Sequence, residues 1–382
     1  MFLSPMFTCI LDARSIQDHF PGIGRYAFRL CCALADFFPE HRFRVLHDAR
    51  ARNTRFELAA LFVRPNVERV DVQANFFSLA EQCLAFHQRL GAQANVWHSP
   101  YYALPLALSI PAVVTLADLT PLVLRGEMPN AFKRPAYRVL NAAAARRARA
   151  VITFSHASRL DLERILGIPR AKISIVPLAA DETFAPAPIM EIERVRATLS
   201  LPPDYVLYVG SNKPHKNLPH LVQAWARVAS DARLVIAGAW DERYPEAKTI
   251  AARLGLNERV LFRHAVAERD LPALISGAQL FVFPSVHEGF GLPPLEAMAC
   301  GTAVACAHAS SLPEVVGDAA YVFDPFDVPE MARAMSNVLG DENLRVALRD
   351  RGAQRAQQFS WRRVARETMR VYEQVASKQV DR

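Results

Sequence analysis

Short apolar runs recur along this chain with room for one helix between each consecutive pair, and that rhythm constrains the fold more than any single residue does. In the second half the runs are Tyr205 to Val209, Arg233 to Ala237, Val260 to Phe262, Gln279 to Phe283, Ala303 to Ala305 and Ala320 to Phe323. A strand with one wet face alternates apolar and polar residues. Leu234-Val235-Ile236-Ala237 does not alternate, so both of its faces must be covered. Covered strands separated by helices form a parallel sheet flanked by helices, and such a sheet binds ligands at the carboxyl ends of its strands. The first half repeats the rhythm less cleanly, near Thr8 to Leu11, Arg42 to Leu46, Val96 to His98, Ala112 to Leu116, Ala150 to Phe154 and Ile173 to Val176. Two Rossmann-type α/β domains are therefore expected, residues 1–181 and 182–360, joined through Val176 to Asp181 with Pro186 and Pro188 just beyond. The two halves share rhythm rather than sequence, and no short internal repeat occurs.

Composition excludes several classes. With 382 residues, 51% hydrophobic and 22% charged, the chain has apolar content for two cores and no signature of disorder. Its longest apolar runs, such as Pro111 to Ala117, fall short of the roughly 20 residues that span a bilayer. The start, Met1-Phe2-Leu3-Ser4-Pro5-Met6-Phe7, has no basic residue before its apolar stretch and soon meets Asp12 and Arg14, so it does not read as a signal peptide and a cytoplasmic location is expected. The six cysteines, Cys9, Cys31, Cys32, Cys83, Cys300 and Cys306, show no C-x-x-C spacing and read as reduced core residues, not zinc ligands. A formal net charge of +7 suits a phosphate-rich ligand, anionic lipid or nucleic acid. Nucleic acid is excluded on pattern, because the cations do not interleave with aromatics as a stacking platform requires.

Three segments sit where such sheets bind ligands. Glu288-Gly289-Phe290-Gly291-Leu292-Pro293-Pro294-Leu295-Glu296 follows the strand ending at Phe283 and runs into a helix, with Pro293 suited to a first turn. Its glycines let the chain turn and a ligand approach closely, backbone amides near Phe290 and Leu292 can donate to ligand oxygens, and the two acids can accept from hydroxyls. Gly210-Ser211-Asn212-Lys213-Pro214-His215-Lys216 also joins a strand to a helix and places cations beside a glycine, a grip suited to a diphosphate. In the first half, Asp12-Ala13-Arg14 ends a strand and Gly22-Ile23-Gly24-Arg25-Tyr26 opens a helix. With Ala27 and Asp48 this also fits a nicotinamide fingerprint, but the loop from Leu11 to Gly22 is too long for a dinucleotide turn. Ser311-Leu312-Pro313-Glu314 has capping-box spacing and is expected to start a helix.

Taken together, these motifs resemble the E-x7-E family 4 retaining glycosyltransferases, and the resemblance covers nearly the whole chain. It implies the GT-B fold: two Rossmann-like domains with parallel sheets facing across a cleft, and a final helix, 361–382, crossing back to the amino-terminal domain. The segment Trp361 to Val375, with Val364, Ala365, Thr368, Met369, Val371 and Tyr372 at helical spacing, suits that helix. The resemblance further implies that Glu288 contacts the donor hexose and Glu296 the ribose. Lys216 steadies the departing diphosphate, and Gly24 lies on its phosphate side. Asp118 and Arg25 fall to the acceptor side, and His98 either joins them there or serves as a satisfied structural histidine.

The chain also departs from the family. Ser211 and His215 stand where relatives often carry an arginine, and Ala117 stands before Asp118 where mannosyl- and rhamnosyltransferases commonly carry a histidine. The expected donor is GDP-mannose. The expected acceptor is a saccharide or polyprenyl-diphosphate-linked saccharide in surface polysaccharide synthesis. The resemblance implies transfer without a metal or other cofactor, and the lack of any D-x-D in the chain agrees with that. Lys133, Arg134, Arg138, Arg146, Arg147 and Arg149 either face anionic lipid, in peripheral contact with the inner face of the cytoplasmic membrane, or form a solvated helical face. The rival readings are a catalytically silent sugar-nucleotide-binding protein, which Ala117 would explain, and a non-transferring GT-B enzyme such as a sugar-nucleotide epimerase.

Overall fold

A computed structural model describes residues 7–79, 81–82, 94–124, 126–128, 132–264 and 266–377. Cys83 and Met1 to Met6 lie outside the described residues. The chain divides into two compact units. The first comprises Met1–Leu122, Asn130–Pro177 and Trp361–Arg382, the second Val123–Pro129 and Leu178–Ser360. The segment Val123–Pro129, assigned to the first domain on sequence, groups with the second because Glu127 is bonded to His215 there.

Among the described residues the first unit holds seven strands: β1 (Thr8–Asp12), β2 (Arg42–His47), β3 (Val67–Asp71), β4 (Val96–Ser99), β5 (Ala112–Thr115), β6 (Ala150–Thr153) and β7 (Ile173–Ile175). They pair in parallel in the order β3-β2-β1-β4-β5-β6-β7. The four residues of β4, of β5 and of β6 are all buried, including the polar His98, Ser99, Thr115 and Thr153, as central parallel strands covered on both faces require. The strand β3 escaped the sequence reading. It is an edge strand whose Val67-Glu68-Arg69-Val70-Asp71 is only partly buried, so it carries no apolar run.

The helix Trp361–Ser377 belongs to this unit and packs on the helix Pro21–Phe37. It buries Trp361, Val364, Ala365, Thr368, Met369, Val371, Tyr372 and Val375, one stripe of a 3.6-residue repeat. Tyr372 stacks on Phe7 with ring centres 6.4 Å apart, and Arg362 lies over the Phe37 ring.

The second unit holds β8 (Tyr205–Val209), β9 (Arg233–Ala237), β10 (Val260–Arg263), β11 (Leu280–Phe283), β12 (Val304–Ala307) and β13 (Tyr321–Phe323). All pair in parallel in the order β10-β9-β8-β11-β12-β13. Strand order reverses between β8 and β11, so the helices leaving these two strands cover opposite faces and a crevice opens at their carboxyl ends. The Gly210 and Glu288 loops are the segments that leave β8 and β11. Topology alone therefore brings the two candidate motifs to one place.

Candidate active site

The chain leaves β8 through Gly210, where a Cβ would collide with the Tyr208 hydroxyl. That hydroxyl donates to the Ser211 carbonyl at 2.7 Å and folds the chain back over the strand end. Asn212 clamps the loop after β9: its amide donates to the Asp241 and Tyr244 carbonyls and its oxygen accepts from the Asp241 amide. Lys213 is exposed. Asn217 then turns the backbone with φ 59°, and its side-chain amide donates to the Pro284 carbonyl at 3.2 Å and the Pro325 carbonyl at 2.7 Å. The backbone after Lys216 is thereby fixed against the ends of β11 and β13. The sequence reading missed Asn217, although an asparagine beside a candidate catalytic residue is a signal for left-handed backbone.

On the β11 side, Ser285 donates from its hydroxyl to the His215 carbonyl at 3.0 Å, and the Val286 amide donates to the same carbonyl at 2.9 Å. Loop meets loop. Ser310 and Ser311 both donate to the Glu288 carbonyl at 2.9 Å, and Ser311 also reaches the Phe290 carbonyl at 2.6 Å. This corrects the capping-box expectation. A helix does begin at Leu312, but the Ser311 hydroxyl does not cap it and holds the glycine loop instead. Gly291 is required twice over: its φ is 118°, and a Cβ there would stand 2.8 Å from Leu312 Cδ2. The helix Leu292–Ala299 follows, with Phe290 buried before it and Glu296 only 5% exposed in its second turn. Gly289 is buried and Leu292 half-buried.

These supports put Lys216 Nζ 2.5 Å from Glu288 Oε1 and 5.2 Å from the Phe283 ring centre. Burial, the largest single influence, pushes the Glu288 carboxyl up, yet the charges of Lys216 and His215 and the hydrogen bonds outweigh it and hold the group below the usual glutamate range. His215 has its own carboxylate. Glu127 Oε1 accepts from its backbone amide at 2.8 Å and sits 2.6 Å from its Nδ1. Burial raises the Glu127 carboxyl, but these bonds and the His215 charge leave it below its ordinary value. The second unit thus gathers Gly210, Ser211, His215, Lys216 and Glu288 at its switch point. It sets a cation beside a fixed carboxylate, groups that can meet a developing negative charge and accept from a hydroxyl.

The first unit holds the remaining candidates. Gly24 is buried, its amide donates to the Phe20 carbonyl at 2.7 Å, and a Cβ would stand 2.9 Å from the Ser15 carbonyl, so packing alone requires glycine there. Arg25 is half-buried beside it. Asp118 accepts from the Thr120 amide at 2.8 Å and starts the turn after β5.

Of the two readings of His98, acceptor-side or structural, its surroundings fit the structural one. It is fully buried, with Nδ1 2.5 Å from the Tyr372 hydroxyl and Nε2 2.8 Å from Thr115 Oγ1. Burial lowers it to about 3, so a neutral ring ties the final helix to the sheet. The basic group after Phe132 is also largely occupied. Arg134 donates to the Leu122 carbonyl, Arg138 to Ile165, Arg147 to Leu106 and Arg149 to Val375. The free thiols Cys9, Cys31, Cys32, Cys300 and Cys306 are all buried. Among the described residues no helix is long and apolar enough to cross a membrane.

The fold recurs in solved structures. Sucrose-phosphate synthase from Thermosynechococcus elongatus superposes with a TM-score of 0.76 at 21% identity, over 98% of this chain and 100% of that one. Two parallel Rossmann-like units with this likeness define the GT-B class of α/β proteins. The profile for glycosyl transferases group 1 matches residues 190–355, and that for the glycosyl transferase 4-like domain matches residues 21–179. O-antigen chain mannosyltransferase B of Escherichia coli is 30% identical over 95% of this chain and 98% of its own length. Serotype-specific mannosyltransferase WbdA, also of Escherichia coli, is 31% identical over 57% of this chain and 28% of its own length. The chain belongs to the family 4 glycosyltransferases, and it is a glycosyltransferase enzyme.

Proposed function

We propose that this enzyme transfers mannose from GDP-mannose to a saccharide carried on a polyprenyl diphosphate, with retention of anomeric configuration, in the synthesis of a cell-surface polysaccharide. The observation that carries this is the Lys216 and Glu288 pair at the switch point of the second unit. The similarity to mannosyltransferases supports the choice of sugar. In the reaction the bond from the anomeric carbon to the diphosphate breaks, and the acceptor oxygen bonds that carbon from the same face. The acceptor's proton passes to the departing diphosphate. Lys216 meets the charge gathering on that diphosphate, with Lys213 and backbone amides beside it, so no metal is required. Glu288 orients the hexose and Glu296 the ribose. Lys133, Arg138 and Arg146 are exposed on one helix and support contact with anionic lipid at the cytoplasmic face of the membrane.

The test is a calorimetric screen of nucleotide sugars, followed by mass spectrometry of products formed on lipid-linked acceptors with and without EDTA. A lipid-linked product heavier by one hexose, formed from GDP-mannose at an undiminished rate in EDTA, is the expected result. Donor binding with neither transfer nor hydrolysis would indicate a silent binding protein, the reading that Ala117 favours. A changed sugar with no need for an acceptor would indicate an epimerase.

A further inference from the structure

Beyond β12 and β13, on the side of β11 away from β8, the second unit has a cavity of about 490 Å³ lined by His308, Ala309, Val322, Asp324, Phe326 and Glu330 among others. None of these residues belongs to the donor motifs. The Phe326 ring is 66% exposed and meets the His220 imidazole edge-on at 6.2 Å. Asp324 Oδ1 accepts from the Phe326 amide at 2.8 Å, and Glu330 Oε2 accepts from the Asp324 amide at 3.2 Å. Each carboxylate thus spends one oxygen on fixing the loop. The second oxygen of each has no hydrogen-bond partner among the described residues.

The chemistry of the lining selects a ligand class. Two carboxylates repel phosphate and anionic lipid, and among the described residues no group of three or more His, Cys, Asp or Glu is placed to hold a metal ion. An exposed aromatic face beside acceptor oxygens suits a neutral sugar ring, whose C–H face packs on the aromatic while its hydroxyls donate to the carboxylates. The cavity is also tied to the reacting centre. Pro325, between Asp324 and Phe326, accepts the Asn217 amide at 2.7 Å, and Asn217 directly follows Lys216.

We infer that this cavity is a saccharide subsite of the second unit that holds a sugar of the acceptor chain set back from the reacting hydroxyl. The choice of mannose as its sugar rests on the transferase reading above. The subsite itself rests on Phe326, Asp324 and Glu330.

The experiment titrates α-mannotetraose and, separately, maltotetraose into the full chain without any donor, reading saturation-transfer NMR. Phe326→Ala and Glu330→Gln replace side chains on the cavity wall. GDP-mannose transfer to a lipid-linked saccharide is assayed in parallel. Saturable mannotetraose binding is expected, weakened about tenfold by Phe326→Ala, the scale of one lost aromatic contact. Glu330→Gln should weaken it in the same direction, and inorganic phosphate should not compete. If neither oligosaccharide binds, or if Phe326→Ala binds both as the unaltered chain does, the subsite is overturned even where transfer proceeds. Phe326-dependent binding of maltotetraose alone upholds the subsite and removes mannose from the functional reading. Phe326-dependent binding of mannotetraose with no transfer upholds the subsite and counts against the transferase reading.

Discussion

Lys216 and Glu288 hold each other at 2.5 Å, so the Glu288 carboxylate has its cation before any substrate arrives. Because Glu288 titrates below its ordinary value, the pairing is complete above the usual glutamate range and is lost only as pH falls through the lowered value. In Lys216→Met the strongest attraction is gone and burial remains, so carboxyl ¹³C NMR should show Glu288 titrating higher than in the unaltered chain. Lys216→Ala should lower kcat by ~10²-fold, the scale for losing one charge partner of a transition state, and steady-state kinetics would read it. Glu296→Ala should weaken donor binding by calorimetry. The opposite lesson comes from His98, whose ordinary value near 6.5 is lowered to about 3 by burial. An unfolded chain binds that proton and the folded one does not, so stability should fall as pH drops from about 6.5 toward 3, by at most about 1.4 kcal/mol per pH unit. Thermal melts of His98→Gln should show a shallower slope over that window. An unchanged slope would mean that His98 does not titrate as its surroundings require.

At the scale of elements, Gly291 and Ser311 control where the helix Leu292–Ala299 begins. Gly291→Ala must adopt φ 118° with a Cβ against Leu312, which should cost about 1–3 kcal/mol in denaturant melts. The strands were legible in sequence where they were buried on both faces, and so were the helical stripe from Trp361 to Val375 and the glutamate loop. What stayed illegible had a common physical cause, since its meaning lay in a partner distant along the chain. The edge strand β3 has partly buried, charged residues because only one neighbour covers it. Ser311 looked like a cap from its spacing to Glu314, yet its partners lie more than twenty residues back, at Glu288 and Phe290. His98 sits at a strand end where ligand-binding residues gather, and only its bond to Tyr372, 274 residues away, shows that it is structural.

At the scale of the whole molecule, the helix Trp361–Ser377 completes the first unit although it follows the second along the chain. A variant ending at Ser360 should therefore exchange amide hydrogens faster in β1, β4 and the helix Pro21–Phe37, and little faster in β8 to β13, by mass spectrometry. The same feature orders events during synthesis. The second unit has its last residue, Ser360, before the first unit has its last helix. At ordinary rates of translation, roughly 10 to 40 s separate the emergence of Pro177 from that of Trp361. Through that interval the faces of Cys9, Cys31 and Phe7 that Tyr372 and its neighbours will cover stay open on the nascent chain. The part of the protein made first is the part finished last, and a chaperone bound to the nascent chain would find its apolar surface there.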